Sequence, residues 1–521
     1  KLEAVFRRAC GQASHPKVLL NALDTITVDI SADLLSPLDH PGAQSIDMAL
    51  NSLTAWSTMD CSAPATEAID TALGSNLYCL VLQASPQGDS LFAAVIPPPQ
   101  TPKGAESPAF PPVIAKVDVT PKEWNALVTL RSRMNAWQNS LQRFLLRYGD
   151  DMGEVGDFYP SDETNGVEEE NVSGAKAPKM GGKRSSTQPT VIDDADLHEE
   201  ELIVLSKRLD ELLSPVLESP GISEALDSIA ASKKMKFVLI ADTRFMELPL
   251  ETLSAFSNRK IRPASRDLSI HVLAHRRGGD GGKDGTNSVS MDDMAYVSDP
   301  RDEDRPLPSL NSGDKKRPSV NETMSQVEAL CKGGSGKMIG LSGSKKIPSD
   351  GEWKKLIGLR KKGGFVYYGP GRCLAHLTPD NVAGLDASGC RVVFLVDRAD
   401  NDASLSRQVI VDKDKTSHAL KLERPVESVV LWTLAGAGSV LFNQWPTSFS
   451  ANRRLMLKLF GNLASGNSVL SEALLDVTSA SGLQDQLGGT TVMSQKLRLK
   501  LRVAFNPILY GLPDVRIGKL S

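Results

Sequence analysis

The sequence is short of the features that announce a location or a chemistry. It has no run of about eighteen consecutive apolar residues, the length a helix needs to cross a hydrocarbon core, so a membrane span is not expected. Its charges nearly cancel: 59 Lys and Arg stand against 63 Asp and Glu, for a formal net charge of -4. That removes the global attraction drawing a basic chain to nucleic acid or to an anionic membrane. Cysteine is sparse. Cys10, Cys61, Cys79, Cys331, Cys373 and Cys390 are scattered through 521 residues without a CxxC pair, so no disulfide framework is expected and the thiols read as reduced. What remains is a soluble, cytoplasmic chain with room for two or three domains.

Residues 1–50 carry short amphipathic pieces, KLEAVFRRACGQ and HPKVLLNALDTI, which read as the end of a helical repeat region continuing upstream of Lys1. Residues 51–148 read as the N-terminal part of the main domain. LYCLVLQASPQGDSLFAAVI, from Leu77, is two β-prone stretches around hairpin turn chemistry, and PKEWNALVTLRSRMNAWQNSLQRFLLRY, from Pro121, has the three- and four-residue apolar spacing of a long helix. Residues 149–192 turn acidic, then basic and small, with almost nothing to bury, and are expected to be a disordered insertion. The core is then 193–521, interrupted by a glycine-rich loop at 276–288. It begins with the helical HEEELIVLSKRLDELLSPVLESP and the buried-strand run FVLIA. KMIGLSG, EWKKLIGLRKK, GFVYYG, CRVVFLVD and ESVVLWTLAGAGSVLFNQW follow. Strands alternating with helices imply an α/β fold: a mostly parallel sheet flanked by helices on both faces.

Several of these phrases, in order, resemble the CHAT and separase type of caspase-like peptidase domain. VLIADTRFMELPLETL is similar to the family's strand and LPxExL helix start, and SRDLSIHVL to the strand that follows. VSDPRDE, ETMSQVEAL and GKMIGLSGSKKIPSDGEWKKL match the order of loop, helix, strand and crossover. WTLAGAGSVLFNQW resembles the AGAxxVxxxxW strand, and NPILYG the closing strand. Within that type, SRDLSIHVL, YYGPGR, VVFLVD and SVLFNQW resemble the C-terminal part of the cilia- and flagella-associated protein 46 family, a repeat-containing component of the ciliary central apparatus.

The resemblance implies a chemistry that the residues do not supply. A peptidase of this type needs an imidazole and a thiolate at the ends of two neighbouring strands. In the family the His stands in a Gly-His-Gly turn; GFVYYGPGR puts Pro370 there, between Gly369 and Gly371. The Cys follows the next strand; CRVVFLVDRAD puts Asp397 there. Proline cannot accept or relay a proton, and a carboxylate does not replace a thiolate in amide cleavage. No catalytic residue is therefore assigned, and the chain reads as a pseudoenzyme. Cys373 and His376 lie just beyond the turn and read as small buried loop residues, while Cys390 stands at the wrong end of its strand.

Other signals are weaker. CKGGSGKMIG fails the phosphate-loop spacing, with Cys331 at the first glycine position and Met338 at the hydroxyl position. His271 and His275 share a helical spacing but lack an HExxH setting or a third ligand, so no metal and no cofactor are expected. The basic stretches 176–184 and 315–317 read as solvated loops, with contact to an acidic microtubule surface as the alternative. KLRLKLR, 496–502, alternates like a strand with one positive face and reads as a protected sheet edge. The resemblance implies a scaffold in the axoneme of cilium or flagellum, partnered by other central-apparatus projection proteins and by microtubules, with neither nucleic acid nor membrane. An altered hydrolase using Asp397, and ligand binding in the vestigial cleft by Arg372 and Arg398, stay open as alternatives.

Overall fold

The computed structural model describes residues 71–73, 77–85, 87–98, 110–148, 191–232, 236–278, 287–304, 318–331, 338–344, 346–358, 363–465, 468–478 and 501–518. The expectations for 1–50 and 149–190, the basic stretches 176–184 and (apart from its flanks) 315–317, the glycine-rich 279–286, the phosphate-loop-like 332–337, and 496–500 lie outside the described residues, as do Cys10 and Cys61.

Thirteen strands are described: β1 (Leu77–Ala84), β2 (Ser90–Ile96), β3 (Val113–Asp118), β4 (Lys236–Ala241), β5 (Ser265–Asp267), β6 (Ser288–Ser290), β7 (Met294–Ser298), β8 (Ile339–Ser342), β9 (Gly363–Pro370), β10 (Cys390–Ala399), β11 (Ser439–Asn443), β12 (Pro507–Gly511) and β13 (Arg516–Gly518). Eleven of them form one sheet in the order β3-β2-β1-β4-β5-β12-β11-β10-β9-β7-β8, and β13 pairs β6 separately. The sheet has two parallel blocks. β1, β4, β5 and β12 run one way, and β11, β10, β9, β7 and β8 run the other, joined by antiparallel β11 and β12. The hairpin of β1 and β2 pairs Ala84 with Leu91, and Gly88 turns the chain at φ 73 where the Trp124 ring leaves no room for a Cβ.

The main helices are α1 (Pro121–Tyr148), α2 (Val191–Leu217), α3 (Pro220–Ala231), α4 (Ile270–Gly278), α5 (Val320–Cys331), α6 (Asp350–Ile357), α7 (Asp402–Asp412), α8 (Pro425–Leu434), α9 (Phe449–Ala464) and α10 (Leu470–Thr478). Thr120 and Glu123 exchange hydrogen bonds at the start of α1, and Ser349 with Glu352 forms a capping box on α6. Successive residues of β9 enter opposite cores. Val366 and Tyr368 pack with α5 and α9, whereas Phe365 and Tyr367 pack with Trp353 of α6 and Trp432 of α8. A strand covered on both faces must be apolar throughout, which is why FVYY and VVFLV are unbroken. A third cluster joins α1, α2 and α3 to β1, β2 and β4.

Three local readings need correction. Only Ser265–Asp267 of SRDLSIHVL is strand; Ile270 opens α4, because Asp267 and Ser269 offer acceptors to the amides of Leu268 and Val272 and end the extended run. The apolar run 427–445 divides into α8 and β11 at Gly436, φ 108. In KLRLKLR the described end is helical, 501–504. Its Arg502 amide is bonded to Glu199 Oε1 at 3.2 Å and its carbonyl to Trp445 Nε1 at 2.9 Å, so tertiary partners override the alternation.

Candidate functional site

β9 and β10 are central neighbours, in parallel register from Val393 opposite Phe365 to Val396 opposite Tyr368. Beyond that point the ladder slips. Ala399 faces Pro370, so three steps along β10 match two along β9, and Asp397 with Arg398 forms a bulge. Arg398 takes φ 65, left-handed backbone that costs a residue with a Cβ roughly 1–2 kcal/mol. Its N–H donates to the Gly371 carbonyl at 2.8 Å, and the Gly371 N–H donates to the Ala399 carbonyl at 2.9 Å. The turn after β9 is thereby locked to the bulge.

Pro370 ends β9 and is buried; its carbonyl lies 3.5 Å from Arg407 Nη2. Asp397 is also buried, and one of its carboxylate oxygens and its backbone carbonyl are hydrogen-bonded. Oδ2 accepts from the Cys373 amide at 2.9 Å, while its backbone carbonyl accepts from Asn443 Nδ2 at 2.9 Å and Asn452 Nδ2 at 3.0 Å. Burial pushes the Asp397 carboxyl up to about 6, against the lowering pull of the Cys373 amide and the Arg398 charge. At the end of β7, Asp299 does similar work at φ 34: it accepts from the amides of Glu303 at 2.9 Å and Asp304 at 2.8 Å, and burial pushes it up to about 6. Both carboxylates hold turns.

Cys373 and His376 are brought together by a short turn, His376 donating its backbone N–H to the Cys373 carbonyl at 2.9 Å. Their protonation is wrong for nucleophilic work. Burial, then the Asp397 charge, raises the Cys373 thiol well above the ordinary range, and burial, then the charges of Arg407 and Arg301, lowers His376 to about 3. At neutral pH this is a thiol beside a neutral imidazole, the reverse of a thiolate–imidazolium pair. The imidazole packs on Tyr367, ring centroids 6.0 Å apart, and neither ring nitrogen has a hydrogen-bond partner among the described residues. Cys390 opens β10, at the far end from Pro370, and burial pushes its thiol up to about 12.

Arg372, named as an anion partner, is placed against carboxylates of the chain itself. Arg372 Nη2 lies 2.5 Å from Asp412 Oδ2 and 3.3 Å from Glu423 Oε2, and Lys415 pairs with the same two carboxylates. Both cations are ion-paired inside this knot, with Arg372 Nε left without a hydrogen-bond partner among the described residues. Arg398 is half-buried as a residue, its pKa lowered by burial against the raising pull of Asp397 and Asp400. His271 and His275 both lie on α4, and among the described residues no three His, Cys, Asp or Glu side chains are placed to hold a metal ion. Cys79, Cys331, Cys373 and Cys390 are buried and form no disulfide among the described residues. No helix among the described residues is long and apolar enough to cross a membrane.

Sequence reasoning missed Arg407, which fills the space under the turn at Gly371 and pairs with Glu303 at 2.7 Å, and the two asparagines that grip Asp397. Polar residues on the inner side of α7, SxxRQ, were the available signal for Arg407.

No family model matches the chain. In sequence it is similar to the cilia- and flagella-associated protein 46 of Chlamydomonas reinhardtii, 27% identical over 154 residues. That stretch is 29% of this chain and 5% of the relative, so the match spans only about one twentieth of that protein. In structure it is similar to two solved Saccharomyces cerevisiae separase–securin complexes, with TM-scores of 0.42 and 0.41 and identities of 13% and 14%. Each covers 90% of this chain and 31% of the matched chain.

Proposed function

We propose that this chain is a non-catalytic pseudo-peptidase module that serves as a scaffold in the central apparatus of a ciliary or flagellar axoneme. Pro370 and Asp397 stand where the resembled peptidases carry His and Cys. The observation that carries the reading is Asp397: a buried carboxyl held by the Cys373 amide and, through its carbonyl, by Asn443 and Asn452. A thiol peptidase needs a thiolate at this position, and here stands a carboxyl with one oxygen taken up in fastening a turn. The protonated Cys373 thiol offers no replacement. Similarity to a cilia- and flagella-associated protein supports the location, and projection proteins and microtubules follow as the partners to be tested.

The biochemical test is an activity-based thiol probe and a peptide library applied to the full chain. No labelling and no cleavage are expected; labelling that depends on any of the six cysteines overturns the non-catalytic reading. The cellular test is tomography of axonemes from ciliated cells lacking the protein. Loss of density from a central-apparatus projection is expected, and unchanged axonemes with normal beating overturn the scaffold assignment.

A further inference from the structure

The long helix α1 carries a charge pattern that the fold does not use. Its sole acid is Glu123, in the first turn, and the remaining 25 residues to Tyr148 contain none. Of its basic residues, Arg131 is taken up by Glu247 at 2.6 Å. Lys122, Arg133, Arg143 and Arg147 are exposed, and none makes an ion pair with a described residue. At about 100° per residue these four fall within an arc of roughly 80°, separate from the arc of Leu127, Leu130, Met134, Trp137, Leu141 and Phe144 that faces the core. The stripe is roughly 37 Å long at 1.5 Å per residue. Between the charges stand Asn125, Thr129, Ala136 and Ser140, small or neutral side chains that neither repel nor block an approaching chain.

We propose that this face of α1 is a docking surface for an extended acidic polypeptide segment of a partner protein. The inference stands apart from the fate of the emptied turn. A chain whose total charge is -4 has concentrated along one helix face cations that pair with no carboxylate among the described residues, and has kept carboxylates off that face, so charge complementarity selects the partner's sign. Arg143 and Arg147, one turn apart, lie within a Debye length of about 8 Å and act on the same carboxylates; Arg133 and Lys122 read separate points further along. Guanidinium groups favour this chemistry, because their planar fork matches a carboxylate with two hydrogen bonds. Of the four only Arg147 has a ring beside it, Tyr148 at 5.9 Å to the centroid; four charges spaced in this way suit a polypeptide better than a nucleic acid, which needs a denser cationic track or a run of stacking platforms.

The test titrates the full chain into a fluorescein-labelled, glutamate-rich peptide of about twenty residues and reads anisotropy at low and physiological salt, where exposed charge pairs are progressively screened. Arg133→Glu/Arg143→Glu/Arg147→Glu is expected to weaken binding by about tenfold or more at low salt. The matched change of all three to Lys is expected to stay within about threefold, since charge is kept and only the fork is lost. Far-UV circular dichroism checks folding, and Arg143→Glu alone repeats the measurement should the triple variant unfold. Three results overturn the proposal: charge reversal without effect, a single-stranded DNA of equal charge binding as tightly, or peptide binding only after the carboxylates of 150–170 are converted to amides. The last would make the chain's own acidic stretch the occupant.

Discussion

The amide of Cys373 donates to Asp397 Oδ2 at 2.9 Å, joining the turn that leaves β9 to the bulge that ends β10. Two residues on neighbouring strand ends are thus coupled as a fastening. The same relationship defines what substitutions there should do.

Asp397→Ala removes a buried acceptor and leaves the Cys373 amide unsatisfied, which should cost about 1–3 kcal/mol. Asp397→Asn keeps an acceptor oxygen and should cost less. Urea denaturation of the two variants checks the order; equal and negligible losses would mean that the hydrogen bond holds nothing.

Gly371→Ala places a side chain at φ 73, with its Cβ 2.9 Å from Arg407 Nη2 and from Gln408 Nε2. Left-handed strain and displacement of the guanidinium from the Pro370 carbonyl should together cost roughly 1–3 kcal/mol. A lowered Tm with unchanged far-UV circular dichroism is the expected record.

Glu427 is buried on α8, and burial followed by the Glu247 charge pushes its carboxyl up to about 7 from 4.5. The folded chain therefore holds this proton more tightly than the unfolded one. Stability from this group is present below about pH 4.5 and is lost as pH rises through 7. Glu427→Gln should flatten the fall of Tm between those values. A wild-type slope in the variant would assign the titration elsewhere.

His376 works in the opposite direction. Its folded pKa of about 3 lies below the ordinary 6.5, so the unfolded chain takes up the proton first, and stability is lost as pH falls from about 6.5 toward 3. His376→Gln should lose less stability than wild type on acidification across that window, read as urea midpoints at pH 7 and pH 4. Parallel curves would show that the imidazole is not the group responsible.

The degree of legibility followed from how local each signal was. FVLIA, FVYY and VVFLV read as buried strands because a strand covered on both faces has to be apolar throughout, and SPQGD between two β-prone runs read as a turn because it supplies Gly88 where φ is positive. At the described end of KLRLKLR, 501–502, the alternation misled: Glu199 and Trp445 bind the backbone of Arg502 and these residues open a helical turn. The setting of Arg372 was no more legible, its charge being paired with Asp412 and Glu423 from a distant part of the chain.

By itself the sequence determined which groups stand at the two strand ends, proline at 370 and aspartate at 397, because residue identity fixes that neither position carries an imidazole or a thiol. Only the tertiary structure decided what those residues do. The slip of β10 against β9, the burial that raises Asp397 to about 6, and the approach of the Cys373 amide all arise from segments folded against one another. Hydrogen bonding and desolvation depend on distances that no linear pattern carries, and they make these two strand ends a fastened junction.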